Sequence, residues 1–235
     1  MKTFINLSSK ESKDVHFSIY KNALQLKSDA MLLAKNKASY SSATSLLVLS
    51  TEEVIKSILV CLHSENYNVY KLKEAGKFFK DHKIRHQIIQ LIEMGSGLFE
   101  SAMKYHDRIP AKFLKTKLSW FDDLINGAID IISSAKPFLE ATNRIERLEG
   151  FNEMKNNGFY VNYRDGLILP QETITKEIYE ETLLIADRVF RFSKMVRILF
   201  NNQIENHLSK NEIDEIKQKL RFFIDDALGD FSFNK

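Results

Sequence analysis

Three charged residues, Glu52, Glu53 and Lys56, stand in the middle of an otherwise apolar stretch. Both glutamates precede Lys56 by one helical turn, so either can pair with it, and an exposed pair of this kind contributes only about 0.2–0.5 kcal/mol. Eleven of the seventeen residues from 46 to 62 are apolar, which predicts a central and mostly buried helix. Because a buried ion pair stabilises a fold poorly, we interpret the three charges as functional, facing an interior groove or a partner.

Two histidines, His82 and His86, lie one helical turn apart beside Lys83 and Arg85. The spacing places both imidazoles on one helix face, and histidine is the side chain best suited to proton transfer near neutral pH. RNA cleavage without a metal ion needs these residue types. A base takes the proton of the 2′-hydroxyl, an acid protonates the leaving 5′-oxygen, and cations stabilise the phosphorane. The segment therefore indicates acid–base chemistry on a phosphodiester.

The two segments together predict one catalytic site. We expect the histidines to transfer protons, the cations to hold phosphate, and the glutamates to orient Lys56 or tune the histidines. The candidate catalytic residues are His82, His86, Lys83, Arg85, Glu53, Lys56 and Glu52.

A metal site is a weaker interpretation of the same residues. The spacing of His82 and His86 can bind zinc, but a zinc site needs three or four ligands, and no third ligand is evident. Helical bundles that hold paired metal ions use a Glu-x-x-His motif. Here Lys56 stands where the histidine would be needed, and an ammonium group repels a metal ion. We therefore expect neither a metal ion nor another cofactor.

The segment from 71 to 86 is strongly basic, with six Lys or Arg residues against two acidic ones. A charge run of this kind is more often a solvated helix face, but a local basic patch also attracts phosphate. We expect Lys77 and Lys80 to contact RNA. The net charge of +3 alone is too small to indicate a nucleic-acid partner.

The elements that must position these residues are predicted to be helices, because only three prolines and eight glycines interrupt the 235 residues. After a loose lead-in over 1–12, a helix capped by Asp14 runs to about residue 37. A polar break at 39–42 precedes the apolar helix, which ends near 63. Further helices are predicted within 71–105, over 112–134 and over 137–156.

One element departs from the helical pattern. Aromatic and β-branched residues flank an Arg-Asp-Gly turn between 158 and 169, which predicts a short β-hairpin. A long helix then starts at Thr173 or Thr175 and runs to about 206, and Ser209 begins a capping box for a last helix. With no repeat and no linker, we expect a single helical domain over 1–235.

Composition also constrains the compartment. The single cysteine, Cys61, excludes an internal disulfide and lies in an apolar run that predicts burial. The N-terminus has no secretory pattern. The sequence contains no run of about 18 apolar residues, so we expect no membrane span. We expect a cytoplasmic protein with no membrane partner.

Three blocks of the chain resemble the AbiV-type abortive infection proteins of the HEPN superfamily. The first block comprises residues 22–30, residues 39–43 and the motif Glu52-Glu53-x-x-Lys56. The second block is 78–86, which contains His82 and His86, and the third is 155–170. The resemblance implies an all-α, HEPN-like helical bundle, a homodimer, and a role in defence against phage by halting growth or translation.

The resemblance also implies a metal-independent ribonuclease, whose usual signature is an arginine followed by four to six residues and a histidine. This chain has no arginine at that spacing; its nearest substitutes are Lys77 to His82, Lys80 to His86, and Lys56 to His63. Our leading hypothesis is a ribonuclease acting on RNA or the ribosome and triggered by a phage-encoded activator. One alternative is a non-catalytic protein that binds a phage protein or the translation machinery. Another is a structural dimer with a buried polar network.

Overall fold

The computed structural model describes residues 2–72, 75–89, 92, 154–163, 165–201, 204–205, 209–222 and 224–225, without the side chains of 212, 215, 219 and 222. Within these residues the chain is mostly helical, with one two-stranded antiparallel hairpin, which confirms the predicted all-α class. None of the described helices is both long and apolar enough to cross a membrane.

Helix α1 spans Ser9–Lys37 and begins earlier than the sequence predicted. Its N-cap is Ser8 rather than Asp14: the Ser8 hydroxyl accepts from the Glu11 backbone N–H, and the Glu11 carboxylate accepts from the Ser8 N–H. This reciprocal pairing satisfies two N–H groups at the helix start. A 3-10 turn at Phe4–Asn6 precedes it, so only part of the expected lead-in lacks helical structure.

Helix α2, Tyr40–Ser64, is the central element, and its burial confirms the prediction from its apolar composition. It packs along α1, where small residues allow a close approach. Ser50 Oγ donates to the Ala23 carbonyl at 2.7 Å, and Ser57 Oγ donates to the His16 carbonyl at 2.8 Å. Cys61 lies in the same core and is 3% exposed, as expected.

Two short helices follow α2, where the sequence predicted an interrupted helical region. Helix α3 covers Ala75–Phe78, and residues 82–89 form a helix that we call α4. Ile84, Ile88 and Ile89 of α4 are buried in the main core. The predicted helices at 112–134 and 137–156 lie outside the described residues, except for a helical turn at 154–157, here α5.

The predicted hairpin is confirmed between 158 and 169. Strands β1, Asn162–Tyr163, and β2, Leu167–Ile168, pair with Asn162 opposite Ile168 and Tyr163 opposite Leu167. Asp165 in the connecting turn has a φ of 56°, a left-handed conformation that Asp tolerates well.

The C-terminal elements are helical. A single turn, α6, covers Pro170–Thr173, and α7 spans Lys176–Leu199 with Thr175 as its N-cap, ending before the predicted residue 206. Helix α7 packs on α2, and the Lys27–Asp187 ion pair joins it to α1 at 2.5 Å. Helix α8, Lys210–Phe222, starts just after Ser209, as predicted.

Candidate functional site

Glu52 is the centre of a buried polar cluster that joins three segments of the chain. Its side chain is 3% exposed and lies on the face of α2 that meets α4 and α5. One carboxylate oxygen, Oε2, lies 2.5 Å from His82 Nδ1 and 2.9 Å from Arg85 Nη2. The other, Oε1, lies 3.1 Å from His86 Nε2 and 3.8 Å from Lys155 Nζ. We call these five residues the Glu52 cluster.

Helix α4 supplies three members because its spacing puts them on one face. His82, Arg85 and His86 stand at positions i, i+3 and i+4, which are neighbours on a helix surface. Asp81 precedes the helix, and its Oδ1 accepts from the Lys83 backbone N–H at 2.8 Å, as a capping residue does. The histidine pair was predicted to share a face, and the structure brings both imidazoles to the same carboxylate.

Lys155 reaches the cluster because α5 docks closely on α2. Ser45 Oγ on α2 lies 2.9 Å from the Lys155 carbonyl and 3.2 Å from the Met154 carbonyl. Gly158 ends this turn so close to α2 that an added Cβ would lie 2.0 Å from Ser45 Oγ and 2.5 Å from the Ser41 carbonyl. The glycine therefore sets the approach that places the Lys155 ammonium 3.1 Å from His82 Nδ1.

The charges of the cluster favour an ionised Glu52. Burial opposes ionisation, but hydrogen bonds from His86 and Arg85 and the positive charge of Arg85 outweigh it and lower the pKa of Glu52 to about 2. Burial also lowers the pKa of His82, and the charges of Arg85 and Lys155 act in the same direction against the attraction of Glu52. His82 is thus biased towards its neutral form.

His82 is the most exposed member of the cluster. Its side chain is 43% exposed, against 4% or less for Glu52, Arg85 and His86. Nδ1 faces the cluster, where it can donate to Glu52 or accept from a cation but cannot do both with one proton. Nε2 of His82 has no hydrogen-bond partner among the described residues, so its lone pair is available when Nδ1 carries the proton.

Arg85 is held inside the protein rather than presented to a ligand. It is 2% exposed, its Nη2 contacts Glu52, and its Nη1 donates to the Phe78 carbonyl at the end of α3 at 3.0 Å. Its Nε is buried and has no hydrogen-bond partner among the described residues. The guanidinium therefore ties α3 and α4 to α2.

The remaining sequence candidates lie outside the Glu52 cluster. Lys56 pairs with Glu53, not with Glu52, and Glu53 also accepts from Asn22 Nδ2 of α1 at 3.3 Å. The three charges of α2 thus divide between two faces: Glu52 meets α4 and α5, whereas the Glu53–Lys56 pair lies towards α1. The other candidate cations are exposed and make no ion pair with Glu52: Lys77, Lys80 and Lys83.

Lys155 is the cluster member that the sequence interpretation did not select. The signal available was Gly158 close behind it, since a glycine ending a helical turn marks a close approach or a special turn. No group of three or more His, Cys, Asp or Glu side chains within the described part of the chain is arranged to hold a metal ion.

Comparison with protein families gives a match over most of the chain. Residues 11–191 match the model of the HEPN family described as AbiV. No curated protein and no solved structure matches the chain. The matched range contains every member of the Glu52 cluster and most of the described fold.

Proposed function

Because this chain belongs to the AbiV family of abortive infection proteins in the HEPN superfamily, and so has a role in defence against phage, we propose that it is a metal-independent ribonuclease. It would cleave cellular RNA or ribosomal RNA in the cytoplasm and halt translation or growth. His82 is the catalytic residue of the proposal.

The observation that carries the proposal is the contact of His82 Nδ1 with the Glu52 carboxylate at 2.5 Å, with the rest of the imidazole open to solvent. A carboxylate that accepts from Nδ1–H fixes the ring and leaves Nε2 unprotonated, which is the arrangement of an oriented general base. The lowered pKa of His82 keeps this base unprotonated near neutral pH. Nε2 would take the proton of the 2′-hydroxyl.

The buried members of the cluster hold the His82 side chain in position. We assign Glu52 as a positioning residue, together with Arg85 and His86, which both contact it. All three side chains are nearly inaccessible to solvent. Lys155 is 13% exposed and lies beside His82, so its charge can stabilise the developing phosphorane. Lys77, Lys80 and Lys83 are exposed and would hold the RNA backbone.

The proposal includes a homodimer and a phage-encoded activator. Cleavage needs an acid as well as a base, and the second chain of the dimer would supply that acid. The activator would bring the two chains into this arrangement and leave the His82–Glu52 contact intact. Light scattering should give twice the mass of one chain.

The test is an RNA cleavage assay in EDTA with purified protein, ribosomes and total RNA, with and without lysate of phage-infected cells. The proposal expects cleavage that depends on infected lysate and falls about 100-fold or more in His82→Asn. Glu181→Gln, an exposed change on α7, serves as the control and should cleave like the original protein. Equal cleavage by His82→Asn and the control would refute the assignment.

A second candidate is a non-catalytic protein that binds a phage product or the translation machinery. It is favoured by the hairpin segment, where five large hydrophobic side chains are at least 44% exposed: Phe159, Tyr160, Val161, Tyr163 and Leu167. Exposed apolar patches commonly mark interaction sites. Arrest of translation without RNA cleavage, kept in His82→Asn but lost in Tyr160→Ser/Tyr163→Ser, would favour binding over catalysis.

A further inference from the structure

A second site of a different kind lies between α1, the end of α2 and the end of α7. It is a cavity of about 620 Å³ whose lining includes Lys13, His16, Phe17, Tyr20, Lys194 and Arg197. We call it the Arg197 pocket. Cys61 of α2 also lines it, and this residue follows Glu52 by nine positions, about 14 Å along the helix axis. The pocket is therefore separate from the Glu52 cluster, and no step proposed above uses it.

Arg197 is the unusual residue of this pocket because its guanidinium donates no hydrogen bond to any described residue. It lies 4.2 Å from the centre of the Tyr20 ring and 5.4 Å from that of Phe17. Its Nε is buried without a partner. A guanidinium carries five N–H donors in a fixed fork that matches phosphate or carboxylate oxygens. An arginine that is held against aromatic rings, with donors that no described residue uses, is placed to receive an anion.

Two neighbouring lysines are also accessible to an anion. Lys13 and Lys194 are exposed at the pocket and form no ion pair with a described residue. Asp14 and Glu65 also line the pocket, so three cations face two carboxylates and the lining carries a small positive excess. This balance suits an anion of low charge, such as one phosphate group, better than a polyphosphate.

The wall beside Arg197 is aromatic and open. Phe17 is 47% exposed and Ile198 is 43% exposed, although both are large apolar side chains. The cavity volume lies within the roughly 300–1,000 Å³ usual for small-molecule sites. His16 is buried with its Nδ1 unpaired. Burial and the charge of Arg197 lower the pKa of His16 to about 4, which leaves a neutral imidazole on this wall.

We propose that the Arg197 pocket binds a small organic phosphate with a flat ring, of the size and chemistry of a mononucleotide. The phosphate would accept hydrogen bonds from Arg197, with Lys194 and Lys13 adding charge. The ring would lie on the Phe17 side of the pocket. The phosphate and the ring of such a ligand match the cations and the exposed aromatic side chain of the pocket.

The experiment is calorimetric titration of the full chain with 5′-AMP, adenosine and inorganic phosphate as separate probes. The proposal expects 5′-AMP to bind with a Kd below about 1 mM and at least about tenfold more tightly than either fragment, because both halves contribute. Arg197→Gln should weaken this binding at least about tenfold, since charged hydrogen bonds are lost.

Two further variants keep the test decisive. Arg191→Gln changes an exposed arginine of the same helix and should bind 5′-AMP like the original chain. Lys194→Gln changes an exposed pocket residue and should weaken binding without affecting the fold. No saturable binding of 5′-AMP, equal binding of adenosine, or an equal loss in Arg191→Gln and Arg197→Gln would each overturn the proposal.

Discussion

At the scale of single residues, the Glu52 carboxylate is the group on which the cluster depends. Among the described residues it is the one acid that faces two fixed cations, Arg85 and Lys155, and two imidazoles. A buried ion pair gives little net stability when complete, yet removal of one partner leaves the other charge buried and uncompensated. A substitution of Glu52 should therefore lower the free energy of unfolding by more than its lost contacts alone would suggest.

Glu52→Gln should lower the free energy of unfolding by about 3–5 kcal/mol, because Arg85 and Lys155 lose their counter-charge. Urea unfolding followed by circular dichroism measures the change. The exposed Glu181→Gln substitution provides the matched control and should stay within about 0.5 kcal/mol. Similar values for both variants would mean that Glu52 does not hold the buried cations in place.

Two buried groups make the fold sensitive to acid. The pKa of His16 falls from 6.5 to about 4 on folding. Between these two pH values, His16 is therefore protonated in the unfolded chain and neutral in the folded chain. The contribution of His16 to stability is complete above pH 6.5, and it should fall by roughly 3 kcal/mol as the pH drops to 4. The lowered pKa of Glu52 extends the loss from pH 4.5 towards 2. His16→Leu should flatten the profile between pH 6.5 and 4 in urea unfolding, and an unchanged slope would contradict the assignment.

At the scale of elements, the packing of α5 on α2 decides whether Lys155 reaches His82. Gly158 and Ser45 make this packing close, and the hairpin that follows starts from the same point. The sequence predicted the hairpin and the burial of α2, because alternation, turn residues and apolar composition are local signals. It did not predict Lys155 in the site, since Gly158 signals a close approach of the backbone but not the helix that is approached.

Gly158→Ala should separate α5 from α2 and lower the free energy of unfolding by about 1–3 kcal/mol, because the new methyl group meets Ser45 and the Ser41 carbonyl. Gly166→Ala is the control, since nothing lies within 4 Å of its added Cβ. Denaturation curves and growth arrest in cells should both change in the first variant alone. Equal behaviour of the two variants would show that the close packing has no consequence.

The limits of sequence interpretation are clearest in the charged residues of α2. Helical spacing allowed Lys56 to pair with either glutamate, and the structure chooses Glu53. The choice follows from tertiary packing, because Glu52 turns towards α4 and finds His82 and His86 there. The spacing of His82 and His86 predicted that they share a helix face. The sequence also identified Glu52 as a candidate residue, but it did not predict that Glu52 lies at the centre of the cluster.

At the scale of the whole molecule, charge is distributed unevenly although the net value is only +3. The lysines at 71, 77, 80 and 83, in the segment that leads into α4 and begins it, are exposed, whereas Arg85 and His86 of the same segment are buried. A basic surface next to a solvent-exposed His82 would attract an RNA backbone and orient it before any chemistry.

Lys77→Ala/Lys80→Ala should weaken binding of single-stranded RNA without regard to its sequence. The slope of log K against log salt concentration should become shallower by about 1.4, or 0.7 for each lost phosphate contact. Fluorescence anisotropy at several salt concentrations measures both effects. Lys35→Ala/Lys37→Ala, at exposed positions near the end of α1, is the matched control. A slope that changes equally in both double variants would place the RNA elsewhere.

The position of Lys155 in the chain has a consequence for synthesis. The ribosome makes Glu52 and both histidines well before residue 155, and Gly158 and the hairpin come later still. A growing chain therefore carries an incomplete cluster until the docking turn has left the exit tunnel. If the protein attacks the translation machinery, this order of assembly protects the ribosome that is making it.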